Sequence, residues 1–453
     1  MWKLLNGRTL NLFVPLADFL YIYQLEEYRT GIFLKWSLAR IFKRNFQQVG
    51  TIEWTTKAKV LFVVTLILVL LYSFLVSFFF DNYFLVFVLA FILGIILIPF
   101  CISAASFFVW PLDNYLKSRI LKKAQEKLKS MNKLKIFAVA GSVGKTSTRS
   151  YLFNILRENF KTFTPKGNYN TLLGIASEVS EKMGGDSRIL ILELGEFRKG
   201  DLLKLANFYR PSELILTQIG SQHLDKFGSQ EEIHKEFLSL TTAEFIKKIY
   251  TIANNPILPK IKKKNIEVVK VADWSGFFES IANFHLPKVK STFENLALAS
   301  TIAFSLGISK KRLKDTIERL TPYEARLKIF NKNGINIIDD SYNISFESAV
   351  NALDYLKSLK GRKILVTGGI VEQGEKANEV NRIFAQKISK TADIAVVAKN
   401  NFYDLISTTI RENPDVEVVP SHNPRATPQI LARILKPGDN VLVQNELPEL
   451  YWH

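Results

Sequence analysis

The run Gly141-Ser142-Val143-Gly144-Lys145-Thr146 limits how this chain can fold more than any other stretch. Ile136–Ala140 before it read as a buried strand, and residues 148–160 after it carry apolar side chains at helical spacing, so the glycines fall at a strand-to-helix turn. Such a turn needs a sheet with a helix returning over its face, and it is the context in which a phosphate loop works. Gly141 and Gly144 let the backbone curl until N–H groups face an anion at the positive end of the helix dipole. Ser142, Val143 and Ser147 belong to the same cradle, Lys145 adds a point charge, and Thr146 adds a hydroxyl for Mg²⁺.

The chain beyond Asn132 agrees with that class. Short apolar runs alternate with helical stretches: Ile136–Ala140, Arg188–Glu193, Glu213–Thr217, Glu267–Ala272, Ile335–Asp339, Lys363–Val366, Ile394–Val397 and Asn440–Val443. Alternation of this kind points to parallel sheets covered by helices on both faces. The expected fold class is α/β, with a phosphate-loop central domain (residues 133–320) and a Rossmann-like C-terminal domain (residues 321–453). The boundary is set near Leu320-Thr321-Pro322, after a helix expected at Lys311–Arg319.

The first 132 residues read differently. Val60–Phe80 and Tyr83–Trp110 are almost uninterrupted apolar runs parted by Asp81-Asn82. About 20 helical residues cross a hydrocarbon core of roughly 30 Å, so each run is long enough to span. Lys57 and Lys59 precede the pair, while Lys117, Arg119, Lys122 and Lys123 follow it. Basic residues on both flanks predict a transmembrane hairpin (residues 57–115) and a basic linker helix (116–132). The chain is then expected to be multi-pass in the cytoplasmic membrane, with membrane lipid as a partner and its chemistry on the cytoplasmic side. Residues 1–56 are either a basic amphipathic helix on a lipid surface, through Trp36, Leu38, Ile41 and Phe42 with Arg40, Lys43 and Arg44, or a small packed helical domain. The net charge of +18 comes without a long Lys/Arg tail or an aromatic stacking module, which excludes nucleic acid as the partner. The lone Cys101 excludes an internal disulfide and a cysteine metal cluster.

Three further clusters belong with the phosphate loop. Ile189–Glu193 is a buried strand ending in a carboxylate, where an open α/β sheet presents groups to a ligand, so Glu193 is a candidate Mg²⁺ ligand. His223-Leu224-Asp225 follows the next strand, and His223 is a candidate ligand for a second cation. Asp339-Asp340-Ser341-Tyr342-Asn343 ends a strand in the next domain; Asx residues there also serve simply as turn formers.

Taken in order, Gly-x-x-Gly-Lys-Thr, Asn168-x-Asn170, Glu193-x-Gly195, His223-Leu224-Asp225-x-Phe227-Gly228, Asn295-x-Ala297-x-Ala299, Arg326 and Asp339-Asp340-Ser341-Tyr342-Asn343 resemble the Mur ligase family over about residues 133–453. The His-Leu-Asp-x-Phe-Gly-Ser and Asp-Asp-Ser-Tyr-Asn runs are most similar to the branch that adds D-alanyl-D-alanine to a muramoyl tripeptide. The resemblance implies ATP-dependent amide-bond synthesis with Mg²⁺, in which a carboxylate takes the γ-phosphate to form an acyl phosphate and an amine then displaces phosphate. It implies catalytic roles for Lys145, Glu193 and His223, with one Mg²⁺ on Thr146 and Glu193 and a second on His223. It places Asn295 at the adenine, Arg326 at the phosphates, Asp340 at the ribose with Tyr342 and Asn343 beside it, and Asn168 and Asn170 at the substrate. The expected substrates are a muramoyl-peptide-like or lipid-linked carboxylate and an amino acid or dipeptide.

The chain departs from the family pattern in places. Phe237 stands where the family often has a lysine used as a metal-bridging carbamate, and Lys235 is two residues away. Val289-Lys290-Ser291-Thr292, Gly368-Gly369-Ile370-Val371-Glu372-Gln373-Gly374 and Gln444-Asn445-Glu446 replace three other family runs. An apolar hairpin stands where the family has a domain for the UDP end of its substrate. The leading expectation is a membrane-anchored peptide ligase of cell-wall assembly. The alternatives are a poly-γ-glutamate-type synthetase, which the Asp-Asp-Ser-Tyr-Asn run disfavours, and a non-catalytic nucleotide-binding scaffold for wall synthesis, which Phe237 favours.

Overall fold

The computed structural model describes residues 14–26, 28–40, 52–167, 169–261, 265–321, 327–341, 345–422 and 426–444. It divides into two compact units, Met1–Arg119 and Ile120–His453.

In the larger unit, strands β1 (Lys135–Ala140), β2 (Thr162–Phe163), β3 (Ile189–Glu193), β4 (Glu213–Leu216), β5 (Lys248–Thr251) and β6 (Glu267–Lys270) form one sheet in the order β2-β3-β1-β4-β5-β6. Every pairing in it is parallel. Strand side chains alternate between faces, so each strand feeds two cores. Ala138, Leu190, Leu192, Leu214 and Leu216 meet helices Leu172–Lys182, Asp201–Tyr209 and Gln230–Leu240 on one face. Phe137, Val139, Ile189, Ile191 and Ile215 meet Lys145–Leu156, Lys290–Ser305 and Lys310–Ile317 on the other. Burial on both faces is why these strands read as near-continuous apolar runs.

A second sheet follows, from β7 (Lys328–Lys332), β8 (Ile335–Asp340), β9 (Lys363–Thr367), β10 (Ile394–Ala398), β11 (Glu417–Ser421) and β12 (Asn440–Gln444), in the order β11-β10-β9-β12-β8-β7. It is parallel except for the edge strand β7, which pairs antiparallel with β8. Asn333 (φ 53°) and Gly334 (φ 76°) turn that hairpin, since two successive positive φ values match the twist of the flanking strands. Helices Phe346–Ser358, Ala377–Ser389 and Tyr403–Arg411 cover one face, and Ala426–Ile434 packs on the other. The expected α/β class, with a phosphate-loop sheet and a Rossmann-like second sheet, is what the chain adopts.

In the smaller unit the two apolar runs pack on each other as helices, but the second is not one straight span. Thr56–Ser77 is long and apolar enough to cross a membrane, and it is the one such helix among the described residues. The second apolar run breaks into Tyr83–Ile96 and Ile98–Lys129, bent by 82°. Pro99 explains the break, because it has no N–H to offer the carbonyl four residues back and its ring would collide there. The 14 residues of Tyr83–Ile96 reach about 21 Å at 1.5 Å per residue, short of a hydrocarbon core of roughly 30 Å. The expected multi-pass placement in a membrane is therefore corrected. Near the N-terminus, helices Val14–Leu25 and Thr30–Arg40 bury Leu16, Leu20, Tyr23 and Phe33, and the Tyr23 hydroxyl bonds Ser106 at 2.8 Å. This fits the packed helical alternative; Ile41, Phe42, Lys43 and Arg44 lie outside the described residues.

Helix Ile98–Lys129 runs on past residue 119, and its later turns do more than link. Ala124 is fully buried, and Ile120, Leu121 and Leu128 pack against the first sheet's core. A fragment starting at residue 132 should therefore unfold more easily than one starting at residue 120. At roughly 25 cal/mol per Å² of apolar area the gap should be about 2–4 kcal/mol, read from paired urea titrations.

Candidate active site

Two glycines shape the turn after β1. Gly141 (φ 146°) and Gly144 (φ 85°) hold a backbone conformation that other residues rarely adopt. A Cβ on Gly141 would collide with the Thr217 hydroxyl, and one on Gly144 with the Asn295 amide. The N–H groups of Ser142 and Val143 donate to the Gln218 carbonyl at 2.9 and 3.0 Å, so these two expected anion donors are engaged within the protein. The first turn of helix Lys145–Leu156, with Lys145, Thr146 and Ser147, is what offers N–H groups without intrahelical partners. The Lys145 amine turns back to the Gly141 carbonyl and to Glu196, whose Oε1 is 2.6 Å away.

Two buried carboxylates flank this turn, and a third, partly exposed, pairs with His223. Glu193, at the end of β3, accepts from the Thr146 hydroxyl at 3.2 Å and from the Asn170 amide at 3.5 Å, and its other oxygen lies 3.4 Å from Arg149 Nε. Arg149 is itself buried, and it donates to the Pro165 and Gly167 carbonyls at 2.7 and 2.9 Å. Glu196 is as buried as Glu193, and its Oε2 has no hydrogen-bond partner. Glu372, from the loop after β9, places Oε2 2.6 Å from His223 Nδ1. Burial alone would raise the Glu372 carboxyl, but the bond and charge of His223 with the charge of Lys226 hold it below the usual carboxylate range. Asp225 moves the other way, raised by burial and then by the Glu372 charge.

The second sheet closes the site. Asp340, at the end of β8, is buried and accepts from the Leu327 N–H at 3.3 Å, whereas Asp339 accepts from the N–H and hydroxyl of Ser341 and so only makes the turn. Glu347 accepts from the Ser221 N–H at 3.1 Å, so the second sheet's first helix touches the loop that carries His223. Lys145, Thr146, Glu193, His223 and Asn295 from the first sheet and Asp340 from the second line one cavity of about 290 Å³. Asn295 also accepts from the Thr148 hydroxyl at 3.1 Å. Asn168, Arg326, Tyr342 and Asn343 lie outside the described residues. Phe237 is fully buried in the first sheet's core, and Lys235 points to solvent, paired with Glu232 at 2.8 Å. Neither of them lines the cavity.

Among the described residues no three Asp, Glu, His or Cys side chains are already gathered to hold a metal ion. Mg²⁺ does not require that, since it commonly takes one or two carboxylates and completes its shell with phosphate oxygens and water. The Thr146 hydroxyl against Glu193 is a hard-oxygen pair that fits it. His223 has Nδ1 against Glu372, which leaves Nε2 as the nitrogen for a ligand. Sequence reasoning missed Arg149, Glu196, Glu347 and Glu372. Glu372 lies in a glycine-bracketed run that stood out, but nothing local marks the other three.

Residues 139–306 match the Mur ligase middle domain, and residues 325–444 match the Mur ligase glutamate ligase domain; together these take in more than half of the chain. The chain belongs to the Mur ligase family. It is 27% identical over 308 residues to UDP-N-acetylmuramoyl-tripeptide–D-alanyl-D-alanine ligase of Buchnera aphidicola, covering 60% of this chain and 65% of that relative. The enzyme of the same name from Bacillus subtilis is 25% identical, over 53% of this chain and 57% of its own. The chain thus spans just under two thirds of the curated relatives it matches. Among solved structures, the MurF ligase of Thermotoga maritima in complex with ADP shares the fold at a TM-score of 0.62 and 23% identity, over 73% of this chain and 80% of its own. A pseudomurein peptide ligase of type C from Methanothermus fervidus matches at 0.51 and 17% identity, over 70% and 77%.

This Mur ligase site depends on a buried cation that no motif reveals. Arg149→Ala should leave Glu193 a buried charge without its partner, lowering stability by about 3–5 kcal/mol in urea unfolding, more than a surface arginine would.

Proposed function

We propose that this chain is an ATP-dependent amide-bond ligase of peptidoglycan assembly, joining a muramoyl-peptide-like carboxylate to the amine of an amino acid or of a dipeptide such as D-alanyl-D-alanine. The observation that carries the reading is the single cavity in which a phosphate loop, Glu193, His223 and Asn295 of the first sheet face Asp340 of the second. The chemistry follows from a difficulty: a carboxylate is a poor acyl donor until one oxygen becomes a leaving group. Its oxygen bonds the γ-phosphorus as the bond to the β–γ bridging oxygen breaks and ADP leaves. The amine nitrogen then bonds the acyl carbon and yields its proton as phosphate departs. Lys145 and the first-turn N–H groups stabilise charge on the transferring phosphoryl group, and preorganised donors in a water-excluded site make the largest such contribution. Bound Mg²⁺, on Thr146 and Glu193 with His223 nearby, would offset phosphate charge in the same region. Asn295 and Asp340 hold the two ends of the nucleoside, and closing the two sheets over it keeps water from the acyl phosphate.

Two finer readings change weight. A lipid-linked acyl substrate was expected from tethering the ligase to a bilayer, and correction of the multi-pass placement weakens that basis, so UDP-linked and lipid-linked muramoyl peptides become two arms of one assay. The scaffold alternative draws support from Phe237, but Lys145, Glu193, His223 and Asp340 all stand at the cavity, which favours turnover.

The test is phosphate release by the full chain against a panel of muramoyl peptides with D-alanyl-D-alanine or single amino acids. Lys145→Ala should cut the rate about a hundredfold or more, the equivalent of several kcal/mol of transition-state stabilisation. A melting curve alongside separates lost chemistry from lost folding, because Glu196 loses its buried partner. Activity within a fewfold of wild type would sink the ligase reading. The rate should also be unchanged by added bicarbonate, since Phe237 offers no amine to carbamylate and Lys235 faces solvent; a bicarbonate-dependent rise lost in Lys235→Ala would show otherwise.

A further inference from the structure

We propose that Glu196 is a cation ligand held in reserve by Lys145: when a nucleotide's phosphates draw the Lys145 amine, the Glu196 carboxylate passes to a divalent cation, so nucleotide and cation bind as one coupled event. This rests on the reading that the cavity takes a nucleoside triphosphate. Glu196 is 97% buried as a side chain, with 3% exposed, and lines the cavity beside Glu193 and Thr146. One oxygen sits 2.6 Å from Lys145; the other, Oε2, has no partner and negligible solvent contact. A carboxylate buried in that way is tolerable only while a positive charge stays beside it.

Lys145 is the charge now beside it, and it is also the one basic side chain of the phosphate loop. Arg149 cannot replace it, being committed to Glu193 and two carbonyls. When phosphate oxygens attract the Lys145 amine, two anions compete for one ammonium in a closed site. A divalent cation between phosphate and Glu196 resolves that competition, and hard carboxylate oxygen is the ligand such a cation prefers. The helix Gln230–Leu240 sends no anionic or carbamylated group into the cavity, as Phe237 is in the core and Lys235 is exposed. Glu196 thus supplies a carboxylate from the loop after β3 instead.

The experiment uses the full chain, wild type and Glu196→Gln, and measures binding of the non-hydrolysable analogue AMP-PNP with and without Mg²⁺. In wild type, Mg²⁺ should tighten binding at least tenfold. In Glu196→Gln, metal-free binding should be tighter than in wild type, and the gain from Mg²⁺ should fall below threefold. An undiminished gain in Glu196→Gln overturns the proposal, while failure of wild type to bind AMP-PNP at all overturns the nucleotide reading with it. A second variant works without nucleotide. Lys145→Ala removes the competitor, so Mn²⁺ binding followed by electron paramagnetic resonance should tighten at least fivefold over wild type in protein shown to be folded by its melting curve. Unchanged Mn²⁺ affinity would mean that Glu196 serves Lys145 alone.

Discussion

Glu193 and Glu196 are carboxylates taken out of water at one cavity, Glu372 is a partly buried one against His223, and each is matched by a basic side chain: Arg149, Lys145 and His223. Removing an ion from water is costly, and its partner repays that cost only when the geometry holds. The surrounding elements supply the geometry. Arg149 is fixed because it also bonds the Pro165 and Gly167 carbonyls, and Lys145 because it starts a helix behind two glycines that no larger residue could replace. The site is therefore an arrangement of compensated charges before it is a set of catalytic groups.

The third pair does something the first two do not. His223 belongs to the loop after β4 of the first sheet and Glu372 to the loop after β9 of the second, so their contact joins the two layers. The Asp225 N–H donates to the Glu372 carbonyl at 3.2 Å, and Glu347 reaches the Ser221 N–H nearby. Glu372 and His223 both sit at positive φ, near 60°, a conformation that costs free energy and persists where the surroundings fix it. The same contact that aligns the two sheets thus sets which His223 nitrogen faces the cavity.

What was legible in the sequence follows from burial. Strands β1, β3, β4, β9, β10 and β12 lie inside their sheets and are apolar on both sides, so runs such as Ile189–Glu193 announced themselves. The missed strands are β2, two residues long; β5, whose ends are Lys248 and Thr251; and β7 and β11 at the edges. Strand β7 is exposed throughout, and β11 carries Pro420, which an edge tolerates. Asn333-Gly334 was a hairpin signal available to a closer reading. In the site, Lys145, Glu193, His223 and Asp340 were legible from motif and strand end, whereas Arg149 and Glu196 take their meaning from partners brought close only by folding. The second apolar run misled because a count of apolar residues does not weigh one proline.

Phe237 has a neighbour that gives its burial a further meaning. Glu236, one position earlier on the same helix, accepts from the N–H groups of Gly200 and Leu202 at 2.7 and 2.9 Å, capping the helix Asp201–Tyr209. Successive residues on a helix point about 100° apart, so this helix is pinned in rotation by a polar tether and an aromatic anchor at once. No single turn of it could bring position 237 to face the cavity without releasing the tether and opening a void. A lysine at position 237 would therefore reach the cavity only with several simultaneous changes, and the site can be tuned only through the groups that already reach it.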